Sequence, residues 1–583
     1  MKRKYFTQLI CFFLPVLFFT VIVFTGAGQA YELVRKTVYG DVMGTTGKNN
    51  TLAWLGIPFA KPPVGDLRWK APRDPDPWPL TRDARAECSV CTQYAMNFPF
   101  GAAKDMPPTI TGSEDCLYLN VWRPKSDETN LPVLFWIHGG ALTFCGNSWY
   151  DMTSFASMNN VIVVMPNYRL GLLGWFTHPA LRAGESADDA SGNYGTLDLI
   201  KALVWVKDNI QAFGGDPANV TIAGESAGGA NVVSLLASPS AKGLFHKAIA
   251  SSAVLLPYDV SEGDAAVNDA LLQLLISDGH ASDNATAAAC LTAMSEAEIK
   301  DYLLSKTAAD ILATDTELAQ RYQTSPARPI IPRLDTSFFK DGTVIPSAGL
   351  EVFTTGAYNK VPTILGNCKD EMKAFLYLTD YFSKSLEYTI LGNTSVSYTP
   401  EEKKLYETAS FYGSSFWKSQ GVDMIAHNMS QYQSDVYAYR FDWGSDAPGN
   451  FLMGAHHGID NRFLFDVNLR PYGRYNLRSP GAKMLKKISM DFISSFLRTG
   501  NPNTQASTRH TWSPWSPEEG KAKCILFNGN SLFPIITMST EELTAEGIMQ
   551  QMSEDVPEPD YSIIVKNIFT DYTMPAFLAE LFK

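Results

Sequence analysis

Positive charge is in short supply in this chain. Of 583 residues, 48 are Lys or Arg against 60 Asp or Glu, giving a formal net charge of −12. That balance leaves no electrostatic footprint for nucleic acid or an anionic membrane surface. Charge of either sign is modest at 19%, while 45% of residues are hydrophobic and 12% aromatic, which excludes a disordered chain and provides for a large core. No Gly/Ser-rich or charge-run linker interrupts the middle, and no repeat period or low-complexity tract stands out. One large domain over residues 31–583 with long insertions accounts for the length better than several domains do.

Cysteine is also sparse, at eight residues. Cys88 and Cys91 form a C-x-x-C, but no second ligand pair lies nearby and no thioredoxin-like strand and helix flank it, so a zinc or redox site is disfavoured. No metal or cofactor is called for elsewhere. Long uncharged apolar runs are absent apart from Leu9–Phe24, which follows Lys2, Arg3 and Lys4 and leads to Gly28-Gln29-Ala30. The layout is that of a signal peptide, residues 1–30, cleaved near Ala30, and the run is short for a bilayer span. An uncleaved amino-terminal membrane anchor is the alternative. Cleavage implies a secreted or periplasmic protein with no further membrane segment. It removes Lys2, Arg3, Lys4 and Cys11, leaving a charge of −15 and seven cysteines, so at least one thiol stays unpaired or pairs between chains. Export permits disulfides, and the preferred pairing is Cys91 with Cys116 around a loop through Asn97–Ser113. Sequons stand at Asn49, Asn219, Asn284, Asn393 and Asn428, of which Asn219 abuts a core strand.

What the chain does contain is a set of strands that read as buried on both faces. Leu131–Ile137 and Val161–Met165 are continuous apolar runs, and Val220–Glu225, Lys247–Ala250, Val361–Gly366 and Val436–Phe441 follow. Such runs imply a mostly parallel sheet covered by helices. Between Leu197 and Phe213 the residues Leu199, Leu203, Val206, Ile210 and Phe213 repeat with helical spacing, and Gly214-Gly215 stops them. Strand, helix and strand thus form a crossover, and in such sheets reactive groups gather at the carboxyl ends of the strands. Tyr31–Thr46 reads as a small hairpin, and Leu55–Trp69, rich in Pro and Gly, reads as an extended path without helix. Val260–Ala319 is Ala-rich and helix-like. A later helix over Lys483–Arg498 buries Leu485, Ile488, Phe492 and Phe496. Residues 545–583 carry no assignment.

One of these strands runs straight into Gly224-Glu225-Ser226-Ala227-Gly228. The Gly-x-Ser-x-Gly spacing allows a sharp strand-to-helix turn that lifts the serine hydroxyl clear of the backbone. Alone the pattern arises readily by chance. Further candidates lie at strand ends: His138-Gly139-Gly140-Ala141, Asp370-Glu371, and His456-His457. Spacing does not choose between the two acids or between the two histidines. His138 reads as a packing residue, and Cys145 as a small buried thiol.

Taken in order, GIPFAKPPVGDLRW, SEDCLYLNVW, HGGA, NYRLGLLGW, FGGDPANVTIAGESAGG, NCKDE, HHGID and RTGNPN resemble the type B carboxylesterases, the branch of the α/β-hydrolase fold that includes the cholinesterases. The resemblance covers Tyr31 to Phe533. It implies an α/β-hydrolase fold with a mostly parallel sheet of eight to eleven strands, helices on both faces and long helical insertions. It further implies Ser226 as nucleophile, Glu371 as acid and His457 as base, with the amides of Gly140, Ala141 and Ala227 as an oxyanion hole. Arg68 with Glu114 and Arg169 with Asp198 are implied as structural ion pairs. The implied activity is hydrolysis of neutral carboxylic esters through an acyl-enzyme, the substrate being a small molecule. A lipase is the alternative, and an adhesion module that has lost the enzyme a remoter one, since such modules usually lack the serine. The loop Thr92–Asp115 holds no tryptophan, which argues against a choline site. Asp460 replaces a usual glutamate, and Ser251-Ser252-Ala253 a usual Gln-Ser-Gly. Glu225, next to the nucleophile, is read as either an electrostatic bias on His457 or a structural hydrogen-bonding group. The oligomeric state is left open.

Overall fold

Strand Leu131–Ile137 is buried at every position, and so is Ile162–Pro166, which is why both lie in the middle of a sheet and not at its rim. The computed structural model describes residues 32–95, 109–255, 257–314, 338–376, 379–383, 386–388, 394–396, 398–444, 452–467, 475–504 and 509–570. The chain divides after Glu32, and all other described residues belong to the unit that begins at Leu33. The proposed signal peptide, the sequon Asn393 and much of the Thr92–Asp115 loop lie outside the described residues.

A hairpin, β1 (Val34–Thr37) and β2 (Gly40–Met43), opens the chain at the side of the main sheet. The main sheet has eleven strands: β3 (Thr45–Gly47), β4 (Thr51–Pro58), β5 (Tyr118–Pro124), β6 (Leu131–Ile137), β7 (Ile162–Pro166), β8 (Gly215–Glu225), β9 (Lys247–Ser251), β10 (Thr363–Cys368), β11 (Val436–Phe441), β12 (Cys524–Gly529) and β13 (Pro534–Ser539). Their spatial order is β13-β12-β11-β10-β9-β8-β6-β7-β5-β4-β3. From β7 to β12 every neighbour is parallel, and the strands at either end are antiparallel.

The crossover helix α1 spans Tyr194–Asn209, and a 3-10 turn carries Ile210–Phe213 to Gly214, whose φ of 86° reverses the chain. Strand β8 starts at Gly215, earlier than the apolar run indicates. Its pairing with β6 is irregular between Gly215 and Val220, and this absorbs Asp216-Pro217. Helix α2 (Ala227–Ala237), buried along its whole length, follows β8 at once. The expectation of no helix in Leu55–Trp69 needs correction: β4 takes its first residues and Gly65–Leu67 make one 3-10 turn, because Pro62 and Pro63 precede that turn and do not have to donate within it. The Ala-rich region forms helices over Val260–Ser277, Asn284–Ala293, Glu296–Ser305 and Ala308–Ala313, each with a reciprocal cap, at Asp259, Asp283, Ser295 and Thr307.

Helix α3 (Pro400–Lys418) lies beneath a second apolar cluster that includes Tyr406, Phe416 and Trp417. The short helix α4 (Asn461–Leu464) and the long α5 (Pro480–Thr499) pack into the main core with Phe463, Phe492 and Phe496. The unassigned carboxyl-terminal stretch begins with helix α6 (Ala545–Asp555), whose Ile548 and Met552 join the cluster around α3. Among the described residues no helix is long and apolar enough to cross a membrane.

Candidate active site

The parallel registers bring four strand ends to one level. Gly224 pairs with Ile137, Glu225 with Ser251, and Ser251 with Gly366. The residues that leave those ends are therefore neighbours: His138-Gly139-Gly140 after β6, Ser226 after β8, Ser252 after β9, and the Asp370-Glu371 turn after β10.

Ser226 occupies the elbow between β8 and α2 with φ 60° and ψ −126°. A non-glycine residue held there stores about 1–3 kcal/mol, sustained by the packing around it. That packing leaves no room for side chains on either flank. A methyl built on Gly224 would lie 2.5 Å from the backbone of Gly228, and one on Gly228 would lie 2.1 Å from the carbonyl oxygen of Ile137. The Ser226 N–H donates to the Ser251 carbonyl at 3.0 Å, tying the elbow to the next strand.

The loop after β6 turns back beside the serine. Thr143 and Phe144 both donate to the Gly140 carbonyl at 3.0 Å, and Gly140, Ala141 and Leu142 have φ of 103°, 52° and 62°. A methyl on Gly139 would be 3.3 Å from Ser226 Cβ and 2.8 Å from the Glu225 carbonyl, so the loop backbone lies against the elbow. Among the described residues, the N–H groups of Gly140, Ala141 and Ala227 donate no hydrogen bond within the chain. Cys145 closes the loop at φ 91°, its N–H and carbonyl both held by the Gln93 amide at 2.8 Å. His138 lies behind the loop, 1% exposed and stacked on Tyr168 with centroids 4.3 Å apart. Burial lowers its pKa to about 4, so the ring is neutral and packs.

The long loop between β11 and α4 delivers His457. Its Nδ1 is 2.5 Å from Glu371 Oε2. The other oxygen of Glu371 accepts from Ser252 Oγ and from the Cys368 N–H, both at 2.6 Å, so a fully buried carboxylate is held at three points. Asp370 does something else: its Oδ2 accepts from the Ala455 N–H at 2.8 Å, and its own N–H donates to the Ala455 carbonyl at 3.0 Å, clasping the histidine loop to the acid loop. His456 turns its Nδ1 to the His457 carbonyl at 2.6 Å and its ring toward Tyr475. Phe375 and Trp417 stack on each other with rings 6° from parallel, and each lies about 5 Å from the His457 ring. Trp417 Nε1 donates to the Ser252 carbonyl at 3.1 Å.

The other ring nitrogen of His457 lies 3.1 Å from Glu225 Oε1 and has no hydrogen-bond partner among the described residues. Ser226 and His457 thus share a site without a hydrogen bond between them in this state. Asp460 stands close by, its carboxylate accepting from Tyr439 OH at 2.5 Å. Three carboxyl groups around one imidazole polarise each other. Burial by itself would lower the His457 pKa, but Glu225 and then Glu371 outweigh it and raise it to about 9. Burial raises Glu225 to about 7 and Asp460 to about 6. Among the described residues no group of three or more His, Cys, Asp or Glu side chains is disposed to hold a metal ion.

Away from this site, Arg68 meets Glu114 through two 2.6 Å hydrogen bonds, and Arg169 meets Asp198 at 2.7 and 2.8 Å. Cys91 and Cys116 are joined as a disulfide with Cα atoms 5.0 Å apart, and Cys88, Cys145, Cys290, Cys368 and Cys524 are free thiols. Phe375, Trp417 and Asn461 are site residues that sequence reasoning missed, and Ser252 was singled out there only as part of a departure from the family pattern, without its role on Glu371. Only Ser252 had a local signal, its position just past the end of a parallel strand.

Comparison with known proteins is consistent across sequence and structure. The family model described as the carboxylesterase family matches residues 32–392 and 385–540. A para-nitrobenzyl esterase of Bacillus subtilis (strain 168) is 33% identical over 495 residues, covering 81% of this chain and 91% of that protein. The pyrethroid hydrolase Ces2a of Mus musculus is 33% identical over 519 residues, covering 81% and 84%. Among solved structures, a PNB esterase superposes with a TM-score of 0.65 at 30% identity over 92% of this chain and all of that one. A carboxylesterase of Geobacillus stearothermophilus gives 0.64 at 28% over 87% and 98%.

Proposed function

Because the chain belongs to the carboxylesterase family and is a carboxylic ester hydrolase, we propose that it cleaves neutral carboxylic esters through an acyl-enzyme on Ser226. The observation that carries this reading is the 2.5 Å contact of His457 Nδ1 with Glu371 Oε2 at the strand ends that also present Ser226. A serine hydroxyl has almost no alkoxide at neutral pH and needs an adjacent base. In the neutral tautomer, His457 carries its proton on Nδ1, facing Glu371, and offers the lone pair of Nε2 to Ser226. The hydrogen bond from Ser226 Oγ to Nε2 would form in the substrate complex, where catalytic hydrogen bonds tighten. As Oγ attacks the ester carbonyl, its proton passes to Nε2, and Glu371 stabilises the imidazolium without taking the proton. The free amides of Gly140, Ala141 and Ala227 would receive the oxyanion. Each such donor is worth about 2.7–4 kcal/mol in comparable sites. His457 then protonates the leaving alcohol, and the same groups activate water to release the acid.

The Phe375 and Trp417 rings beside His457 offer an apolar wall suited to an uncharged substrate. Since a relative is named a para-nitrobenzyl esterase, para-nitrobenzyl esters join p-nitrophenyl esters of graded acyl length as trial substrates. Wild type is expected to hydrolyse members of that panel and to form an organophosphate adduct on Ser226, and Ser226→Ala to lose both. Turnover by Ser226→Ala close to wild type would refute the assignment.

Residues 1–30 are further proposed to be an export signal cleaved near Ala30. The supporting features are the basic start and the apolar run Leu9–Phe24. Amino-terminal sequencing of protein recovered from a secreting host should begin at about Tyr31, whereas an intact Met1 on membrane-bound protein would support the anchor.

A further inference from the structure

A lysine and an aspartate five residues apart do not meet on an α-helix, where that spacing turns about 140° around the axis. Lys418 and Asp423 do meet: Lys418 Nζ donates to Asp423 Oδ2 at 2.5 Å, and the two side chains are 2% and 1% exposed. The cause is a π-helical turn, Ser419–Asp423, set between α3 and a helix over Met424–Ser430, whose wider winding brings residues five apart onto one side. Immediately before this pair stands Trp417. Its ring centroid lies 5.1 Å from that of His457, and its Nε1 donates to the Ser252 carbonyl at 3.1 Å. Resting on the assignment of Ser226, His457 and Glu371 above, we propose that Lys418 and Asp423 are positioning residues for ester hydrolysis: gripped by the segment Glu541–Leu543, they lock the π turn and so hold the Trp417 ring against His457 as one wall of the substrate site.

The segment Glu541–Leu543 lies between β13 and α6, and each of its residues is tied down. The Leu543 N–H donates to Asp423 Oδ2 at 2.7 Å, and Lys418 Nζ reaches the Glu541 carbonyl at 3.5 Å. Glu541 Oε2 accepts from Arg440 of β11 at 3.0 Å, while Glu542 pairs with Lys523 at 2.6 Å and with His427 at 2.7 Å. The buried pair is thereby fastened to the main sheet. The π turn also presses on the stretch that carries Ser252: a methyl on Gly421 would lie 1.9 Å from the Ala253 carbonyl and 3.8 Å from Trp417 Cδ1. Relaxing the turn to regular α geometry would rotate α3 by about 100° relative to the helix behind it, and Trp417 would leave His457. A buried ion pair adds little net stability over apolar residues of similar volume, because both charges lose their hydration. What it supplies here is direction. The ammonium has to face the carboxylate, and the carboxylate has to face the Leu543 N–H, so the winding of the turn and the place of Trp417 are set together.

The test reads the ratio of kcat/KM for p-nitrophenyl octanoate to that for p-nitrophenyl butyrate, with a thermal melt of each variant beside it. Lys418→Met combined with Asp423→Leu removes both charges and roughly keeps the volume, so no lone charge is buried and the fold is expected to survive. Trp417→Ala opens the wall and should raise the ratio about tenfold, the scale on which a pocket discriminates methylenes. The paired variant should raise it about threefold, within the range for residues coupled by contact. Added to Trp417→Ala, the paired variant should change nothing more, since the pair acts only through Trp417. Should the paired variant not fold, Asp423→Asn, which keeps the side-chain shape and an acceptor for the Leu543 N–H, is read in the same way. A folded variant of the pair whose ratio does not rise, a Trp417→Ala ratio equal to wild type, or an equal rise with and without Trp417 overturns the proposal. If Ser226→Ala keeps its turnover, the underlying assignment fails instead.

Discussion

Ser252 donates to Glu371 Oε1 at 2.6 Å while His457 holds Oε2, so the acid is braced from both sides. A hydrogen bond to a buried charge is worth about 1.5–3 kcal/mol. Ser252→Ala is therefore expected to lower kcat by about ten- to a hundredfold with little change in KM. Steady-state kinetics beside a thermal melt would check this, and a change confined to KM would contradict it. The same geometry fixes the sign of the pH response. Burial lowers the His457 pKa, but Glu225 and Glu371 outweigh burial and raise it from 6.5 to about 9, which favours the protonated ring to higher pH than in a free histidine. In the proposed mechanism it must lose that proton to act as base, so kcat/KM of the wild type is expected to fall as pH drops. The charged pair also links to stability. A folded pKa above the unfolded value gives a contribution complete below about 6.5 and lost as pH rises through about 9. Of the residues in this site, Ser226 was legible because a Gly-x-Ser-x-Gly turn is a local steric requirement. Phe375 and Trp417 were not, because aromatic residues on separate helices carry no mark of the ring they will flank.

At the scale of elements, the elbow depends on how closely α2 approaches β6. A methyl at Gly228 would lie 2.1 Å from the Ile137 carbonyl and 2.9 Å from that of His138, and strand backbone in mid-sheet cannot yield. Gly228→Ala is expected to destabilise the fold by about 3 kcal/mol, at the upper end of overpacking costs, and to displace Ser226. Calorimetry and activity measured together would test it, and a melting point and activity equal to wild type would contradict the close-packed elbow. Helix and strand types were largely legible here, since Leu131–Ile137 and the Leu199 to Phe213 spacing are properties of short windows. Boundaries were less so. Helix α1 starts at Tyr194, before the apolar spacing begins, because Tyr194, Gly195 and Thr196 are buried by neighbours distant in sequence. The 3-10 turn at Gly65–Leu67 was hidden for a related reason: the prolines that exclude an α-helix there leave a single tight turn open.

Across the whole molecule, long insertions are tied to the sheet by charged groups. Arg68 grips Glu114 and also donates to the Lys306 carbonyl at 2.5 Å, while Glu185 takes both Lys70 and Lys300. Arg169 and Asp198 are almost wholly buried, so their attraction is offset by lost hydration. Breaking either partner would leave a buried charge uncompensated. By itself the sequence determined the strand and helix inventory, the order of serine, acid and histidine, and the glycine positions that a sharp elbow requires, because apolar periodicity and backbone sterics act over a few residues. The resemblance already pointed to Glu371 and His457; only the tertiary structure decided that Ser252 and the Cys368 N–H hold the acid, that Asp370 clasps the histidine loop, that His456 turns toward Tyr475, and that Glu225 lies beside Nε2. Those choices depend on the register of β8, β9 and β10 and on a loop closing from more than 80 residues away. No short window of sequence carries that information.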